Sequence, residues 1–146
     1  MGKNLNDNKL SIGNYISIFY RLGTSHLLQN YSEYNIGYGQ YQFLLNLYIQ
    51  DGLTKEQLTK RVVVDKATTS RSIQKLLDNG YVTVIVDEHD KRVHHIYLTQ
   101  KAKDIQAEIM SIAQTWEDKL VNCLDDTDKQ KLSEIFQKIA ESNEWI

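Results

Sequence analysis

Residues 54–99 read TKEQLTKRVVVDKATTSRSIQKLLDNGYVTVIVDEHDKRVHHIYLT, and the punctuation of this stretch decides the fold. Thr54 followed by Gln57 has the spacing of a capping box, where hydroxyl and amide each satisfy a backbone N–H at a helix start. A short helix opens there, with Leu58 and Val62 turned to the core. Asp65 can cap a second helix over 66–78, with Thr69, Ile73, Leu76 and Leu77 on its buried side and Gly80 as its stop. The period then changes. Residues 81–86 and 93–98 are rich in β-branched and aromatic side chains, and the polar segment 87–92 between them predicts a hairpin with a charged tip.

Helical periods flank this stretch on both sides. Ile12, Ile16, Phe19, Gly23 and Leu27 recur at steps of three and four across 11–31, which predicts an amphipathic helix. Gly37 and Gly39 punctuate, and a second apolar segment runs through Tyr41, Leu44, Leu45 and Tyr48 to Asp51-Gly52. Downstream, Thr99 caps a long helix with Ile105, Ile109, Ile112, Trp116, Leu120, Cys123 and Leu124 on its apolar side. Asp125-Asp126-Thr127 marks a restart, and the last helix carries Leu132, Ile135, Phe136 and Ile139. The expected order is four helices, a hairpin and two helices: a mainly α fold with a small β-hairpin.

The composition agrees. A chain of 146 residues makes one domain, and 41% apolar with 25% charged residues excludes a disordered polyelectrolyte. Proline, which breaks helix interiors, is absent. No apolar run reaches the ~18 residues of a membrane span. The polar N-terminal stretch lacks the apolar core of a secretory signal. The single cysteine, Cys123, cannot form an internal disulfide or a multi-thiolate metal site, so a reducing, cytoplasmic setting is expected.

The charge is unevenly divided. Residues 54–103 hold ten Lys and Arg against six Asp and Glu, a local +4, while the rest of the chain carries −6. A basic middle between acidic flanks suits a polyanion partner, although a solvated charged surface has the same arithmetic. Two helices and a hairpin in this order make a winged helix-turn-helix, which sets its second helix in the DNA major groove. With 66–78 buried through its apolar positions, Lys66, Thr68, Ser70, Arg71, Gln74 and Lys75 face outward. Short hydroxyls and an arginine suit a helix end pressed on base edges and phosphates. The expected DNA contacts are Thr54, Lys66, Thr68, Thr69, Ser70, Arg71, Gln74, Lys75, Lys91 and Arg92; Thr69 is counted both here and among the buried positions.

Taken together, these motifs resemble the multiple antibiotic resistance regulator (MarR) family of bacterial and archaeal repressors. The resemblance rests on the capped helix at Thr54, Thr-Thr-Ser-Arg at 68–71, Leu76 with Gly80, Asp90-Lys91-Arg92 at the wing, and Leu98-Thr99 after it. It implies a homodimer whose terminal helices interlock, gripping double-stranded DNA at a palindromic operator with two winged lobes. Arg92 is then expected in the minor groove, with Asp90 bracing the wing. Lys91 stands where many relatives carry arginine, and Ala102 replaces a frequent glycine. The expected division is a helical dimerisation region at 1–36 and 100–146 around a DNA-binding region at 37–99. Apolar stripes on the terminal helices, ending in Trp145-Ile146, support a second chain, against the alternative that the tail docks on its own domain.

Seven of the nine tyrosines fall within 15–48. Such a wall could hold a small aromatic or phenolic effector, with Arg21, Ser25 and Tyr41 as the candidate pocket residues; the alternative is plain packing. The resemblance implies an effector site between the dimer and DNA lobes. His89, His94 and His95 stand among Asp87, Glu88 and Asp90, but strand alternation separates His94 from His95, so no metal and no cofactor is expected. Cys123, placed on an apolar helix side near acidic residues, is expected to be unreactive. No phosphate loop, nucleophile elbow or zinc-protease motif occurs, so an enzyme is not expected. The rival function is a winged helix that docks proteins without DNA. It would expose apolar residues where Lys66, Thr68, Ser70, Arg71 and Lys75 stand.

Overall fold

The computed structural model describes residues 9–145. The N-terminal stretch 1–8 and Ile146 of the expected apolar terminus lie outside the described residues. Nine regular elements are described: α1 (Ile12–Tyr31), α2 (Tyr38–Ile49), α3 (Lys55–Val62), α4 (Lys66–Asp78), β1 (Val82–Val86), β2 (His94–Leu98), α5 (Gln100–Asp104), α6 (Gln106–Val121) and α7 (Asp126–Ser142), with a single 3₁₀ turn at Ser32–Tyr34 after α1. The strands form one antiparallel pair with Val84 opposite Ile96. This is the mainly helical winged fold expected.

The caps are those the sequence predicts. Thr54 Oγ1 accepts from Gln57 N at 3.1 Å, and Thr54 N donates to Gln57 Oε1 at 2.9 Å. Asp65 Oδ1 accepts from Thr68 N at 2.6 Å, and Thr99 Oγ1 from Ala102 N at 3.3 Å. Each closes a helix start whose N–H groups would otherwise lack partners.

The core gathers around α2, where Tyr41, Phe43, Leu44 and Leu47 are buried, and receives Leu58 of α3, Ile73 and Leu76 of α4, and Ile96 of β2. Gly39 does not punctuate: it lies inside α2, where a Cβ would stand 3.6 Å from Ser72 Oγ on α4. Gly52 and Gly80 do take the left-handed conformation, at φ +76° and +75°. Leu77 is a correction: it is 37% exposed, and Ser72 is buried in its place on α4.

The helix expected after Thr99 is broken at Ile105 into α5 and α6. The Tyr48 hydroxyl donates to the Ala102 carbonyl at 2.6 Å, competing for an oxygen that would otherwise close the next helical turn. Cys123 is also displaced from its expected place. It is exposed in the turn beyond α6, not on an apolar helix face.

The terminal helices keep much of their apolar surface uncovered in the protomer. On α1 only Gly23, Leu27 and Tyr31 are buried, whereas Ile12 is 77% exposed and Ile16 and Phe19 are exposed too. On α7 Ile135, Phe136 and Ile139 are exposed, and no residue of the helix is buried. Where α1 meets α6 the approach is close, with the Trp116 ring against Gly23. The fully buried Tyr31 adds a hydroxyl bond to the Ile109 carbonyl at 3.0 Å.

Candidate nucleic-acid interface

Helix α4 is two-faced. Thr69, Ser72, Ile73 and Leu76 are buried, while Lys66, Ser70, Arg71, Gln74 and Lys75 are exposed and Thr68 half-buried. Burial of the apolar side fixes the rotation of the helix, and rotation decides which polar groups meet solvent. Arg71 lies back along the helix, its guanidinium donating to Thr68 Oγ1 at 3.1 Å. Gln74 Nε2 donates to Asp78 Oδ1 at 2.8 Å. Both side chains therefore rest on their own helix, where exchanging a weak exposed bond for a ligand costs little.

Asp65, acidic beside this basic face, is absorbed by its cap. The Thr68 backbone N–H holds its carboxyl below the usual carboxylate range, with further help from the Thr68 hydroxyl and Arg71. Thr54 spends its oxygen as an acceptor on Gln57, which leaves the hydroxyl hydrogen free to donate.

Thr69 is a correction to the expected contact set. It is 1% exposed, with its hydroxyl 2.7 Å from that of Thr59 on α3 and 3.2 Å from the Asp65 carbonyl. It braces the two helices against each other and faces away from solvent. Between them, Val63 takes φ 58° and ψ 54° in the turn, a conformation that a β-branched residue adopts only under strain.

The hairpin tip is organised by two carboxylates. Asp87 Oδ1 accepts from the N–H groups of His89 and Asp90 at 2.8 and 3.0 Å. Asp90 receives Arg92 bidentately, Nε on one oxygen and an Nη on the other, each at 3.0 Å. That pair holds the Asp90 carboxyl below its ordinary range and raises the Arg92 guanidinium. The Arg92 side chain is 91% exposed, and Lys91 beside it is exposed as well.

The three candidate pocket residues do not come together. A cavity of about 530 Å³ opens between α1, α2, α6 and α7, lined by Tyr20, Thr24, Tyr38, Tyr41, Trp116 and Phe136 among others. Of the expected three only Tyr41 lines it. Arg21 and Ser25 are exposed elsewhere on α1, because one step along a helix turns a side chain by about 100° away from the face of Tyr20 and Thr24. The Tyr20 and Tyr38 rings meet edge-on at 5.4 Å, and Tyr38 and Tyr41 lie 5.3 Å apart. Burial pushes the Tyr38 and Tyr41 hydroxyls upward, so they remain neutral donors.

Sequence reasoning leaves His94 and His95 near phosphate or filling the wing, and does not give the partners of His95. His95 reaches both Gly52 and Asp87, partners that only the folded chain brings to one place.

The geometry defines a winged helix-turn-helix protein with a polar, cationic second helix. A family model described as MarR family matches residues 34–93. A MarR transcriptional regulator from Methanosarcina mazei Go1 superposes with a TM-score of 0.84 at 36% identity, covering 90% of this chain and 95% of that one. The HTH-type transcriptional regulator BilQ of Clostridium symbiosum is 26% identical over 130 residues, 89% of this chain and 90% of its own. A MarR family regulator from Listeria monocytogenes, complexed with 26mer DNA, shares the fold with a TM-score of 0.87 at 20% identity over 94% of this chain and 93% of that one. The chain belongs to the MarR family of transcriptional regulators. No helix among the described residues is long and apolar enough to cross a membrane.

Proposed function

We propose that the protein is a cytoplasmic homodimeric repressor that binds a palindromic DNA operator and releases it on meeting a small aromatic or phenolic effector. The observation that carries this reading is the division of α4, apolar side buried and cationic side free. Lys66, Thr68, Ser70, Arg71, Gln74 and Lys75 present donors to base edges and phosphates, Thr54 adds a hydroxyl at the neighbouring helix start, and Lys91 and Arg92 reach from the wing. Asp90 braces that wing by holding Arg92. The DNA in the Listeria neighbour is in keeping with this docking. A protein-docking adaptor would instead present an apolar face on α4.

Dimerisation belongs to 1–36 and 100–146, and DNA binding to 37–99. The exposed Ile12, Ile16, Phe19, Ile135, Phe136 and Ile139 support this division, since removing apolar surface from water is what drives most protein association. Two lobes related by a twofold axis read half-sites about 10 base pairs apart, and a dimer so placed shields the duplex from other proteins. The effector site is the tyrosine end of the cavity, at Tyr20, Tyr38 and Tyr41, whose hydroxyls orient a polar group on an otherwise apolar ligand; the end lined by Ile12, Ile16, Phe19, Phe136 and Ile139 is the part that a second chain covers.

The test is selection of duplexes from a random pool by the purified protein, followed by affinity measurement on the selected sequence. A palindromic consensus, and a loss of about 1–3 kcal/mol with Arg71→Ala, are expected. Absence of any enriched sequence, or unchanged affinity with Arg71→Ala, overturns the assignment of α4. A panel of salicylate-like acids that leaves the complex intact overturns the effector site.

A further inference from the structure

His95 lies on β2 opposite Ile85 and joins two segments distant in sequence. Its Nδ1 is 3.2 Å from the Gly52 carbonyl in the turn between α2 and α3, and its Nε2 is 3.0 Å from Asp87 Oδ2 at the head of the wing tip. A peptide carbonyl and an ionised carboxylate are both acceptors only. A neutral imidazole carries one N–H and can satisfy one of them; an imidazolium satisfies both. Asp87 is held ionised, because the His95 side chain and the backbone N–H groups of Asp90 and His89 keep its carboxyl below the ordinary range.

The contacts continue outward. Asp87 also gathers the backbone of His89 and Asp90, and Asp90 grips Arg92. A connected path therefore runs from the α2–α3 turn, through the ring, to the guanidinium expected on DNA. We propose that His95 is a positioning residue whose imidazolium staples the wing tip to the α2–α3 turn and so sets the pose of Arg92. Its effect on DNA rests on the reading under Proposed function; the staple itself does not.

The surroundings favour Asp87 as the controlling charge. From the turn, Asp51 faces β2, and its Oδ1 accepts the N–H groups of Gly52 and Leu98 rather than the ring. Tyr97 packs its ring 6.4 Å from that of His95. Helix α2 carries no charged residue, though it does carry Tyr38, Tyr41 and Tyr48; α3 carries Lys55, Glu56, Lys60 and Arg61, α5 carries Lys101, Lys103 and Asp104, and Asp90 is occupied by Arg92. Among the described residues only Asp87 forms an ion pair with the ring. Asp87, then the Gly52 carbonyl, raises the His95 pKa above its ordinary value. The sign follows: the staple is complete below the ordinary histidine value of about 6.5 and is lost as pH rises through the raised one.

Asp87→Asn reverses this dependence. The amide oxygen can still accept the two backbone N–H groups, while the amide nitrogen donates to Nε2 and so requires a neutral ring with its hydrogen on Nδ1. The experiment follows the His95 ring resonances against pH in the free protein. It also measures affinity for a mixed-sequence synthetic duplex at one low ionic strength, from about pH 6 to pH 9, in wild type and Asp87→Asn. Because any change of charge elsewhere in protein or duplex is common to both proteins, the ratio of the two affinities is the readout. The expected result is a His95 midpoint above about 6.5 in wild type, lowered in the variant, with the wild-type advantage falling about two- to fivefold as pH rises. A wild-type midpoint at or below the ordinary value overturns the staple. A ratio flat with pH, after a raised midpoint, overturns its positioning of Arg92. If neither protein holds duplex at any pH, the DNA-binding reading fails and the positioning role with it, while the ring titration reports separately on the staple.

Discussion

Gly23→Ala puts the packing of α1 on α6 to a quantitative test. In an exposed helix interior this substitution stabilises by about 1 kcal/mol, because alanine has less backbone freedom to lose. Gly23 is buried, and a Cβ there would lie 2.7, 2.8 and 2.9 Å from Trp116 Cε2, Cζ2 and Nε1. Ordinary carbon contacts are about 3.5–4.0 Å, so the deficit approaches 1 Å against three atoms of one rigid ring. Overpacking of this kind costs about 1–3 kcal/mol. Set against the propensity gain, the net expectation is a loss of about 1 kcal/mol. In a Trp116→Leu background the ring is gone, and the same substitution should return its gain of about 1 kcal/mol. The two sites should therefore couple by about 2 kcal/mol, well beyond the additivity expected of independent positions. Urea unfolding followed by far-ultraviolet circular dichroism on the four proteins, all at one protein concentration, measures the cycle. If Gly23→Ala stabilises equally with and without Trp116, the ring does not press on that position and the account of this crossing is wrong.

Three further outcomes test other parts of the molecule. Thr69→Val should cost about 1 kcal/mol in thermal unfolding by deleting its buried hydroxyl contacts; unchanged stability with lost DNA affinity would return Thr69 to the contact surface. Arg92→Ala should reduce the slope of log affinity against log salt by about 1, and an unchanged slope would remove Arg92 from the phosphates. Val63→Gly relieves a left-handed conformation worth about 1–2 kcal/mol while adding unfolded-state freedom of about 0.5–1 kcal/mol, so a stabilisation of up to about 1.5 kcal/mol is expected in urea. A clear loss of stability would show that the side chain contributes more than its strain removes.

What the sequence determined by itself was local. Thr54 with Gln57, Asp65 with Thr68, and Thr99 with Ala102 are partners three residues apart, so spacing alone predicts the bond. The hairpin was legible from its change of period, and the exposed set on α4 followed from the burial of Ile73 and Leu76. What only the tertiary structure decided involves groups far apart along the chain. Tyr48 reaches the Ala102 carbonyl beside the break between α5 and α6, Thr59 meets Thr69 inside the fold, and helix rotation sends Arg21 and Ser25 away from the cavity that Tyr20 and Tyr41 share. His95 was legible only as a strand residue beside a charged tip until folding set the Gly52 carbonyl and Asp87 on either side of it. The physical reason is range: capping and periodicity act within a turn or two of backbone, whereas competition for a carbonyl or a ring nitrogen depends on which distant group arrives there.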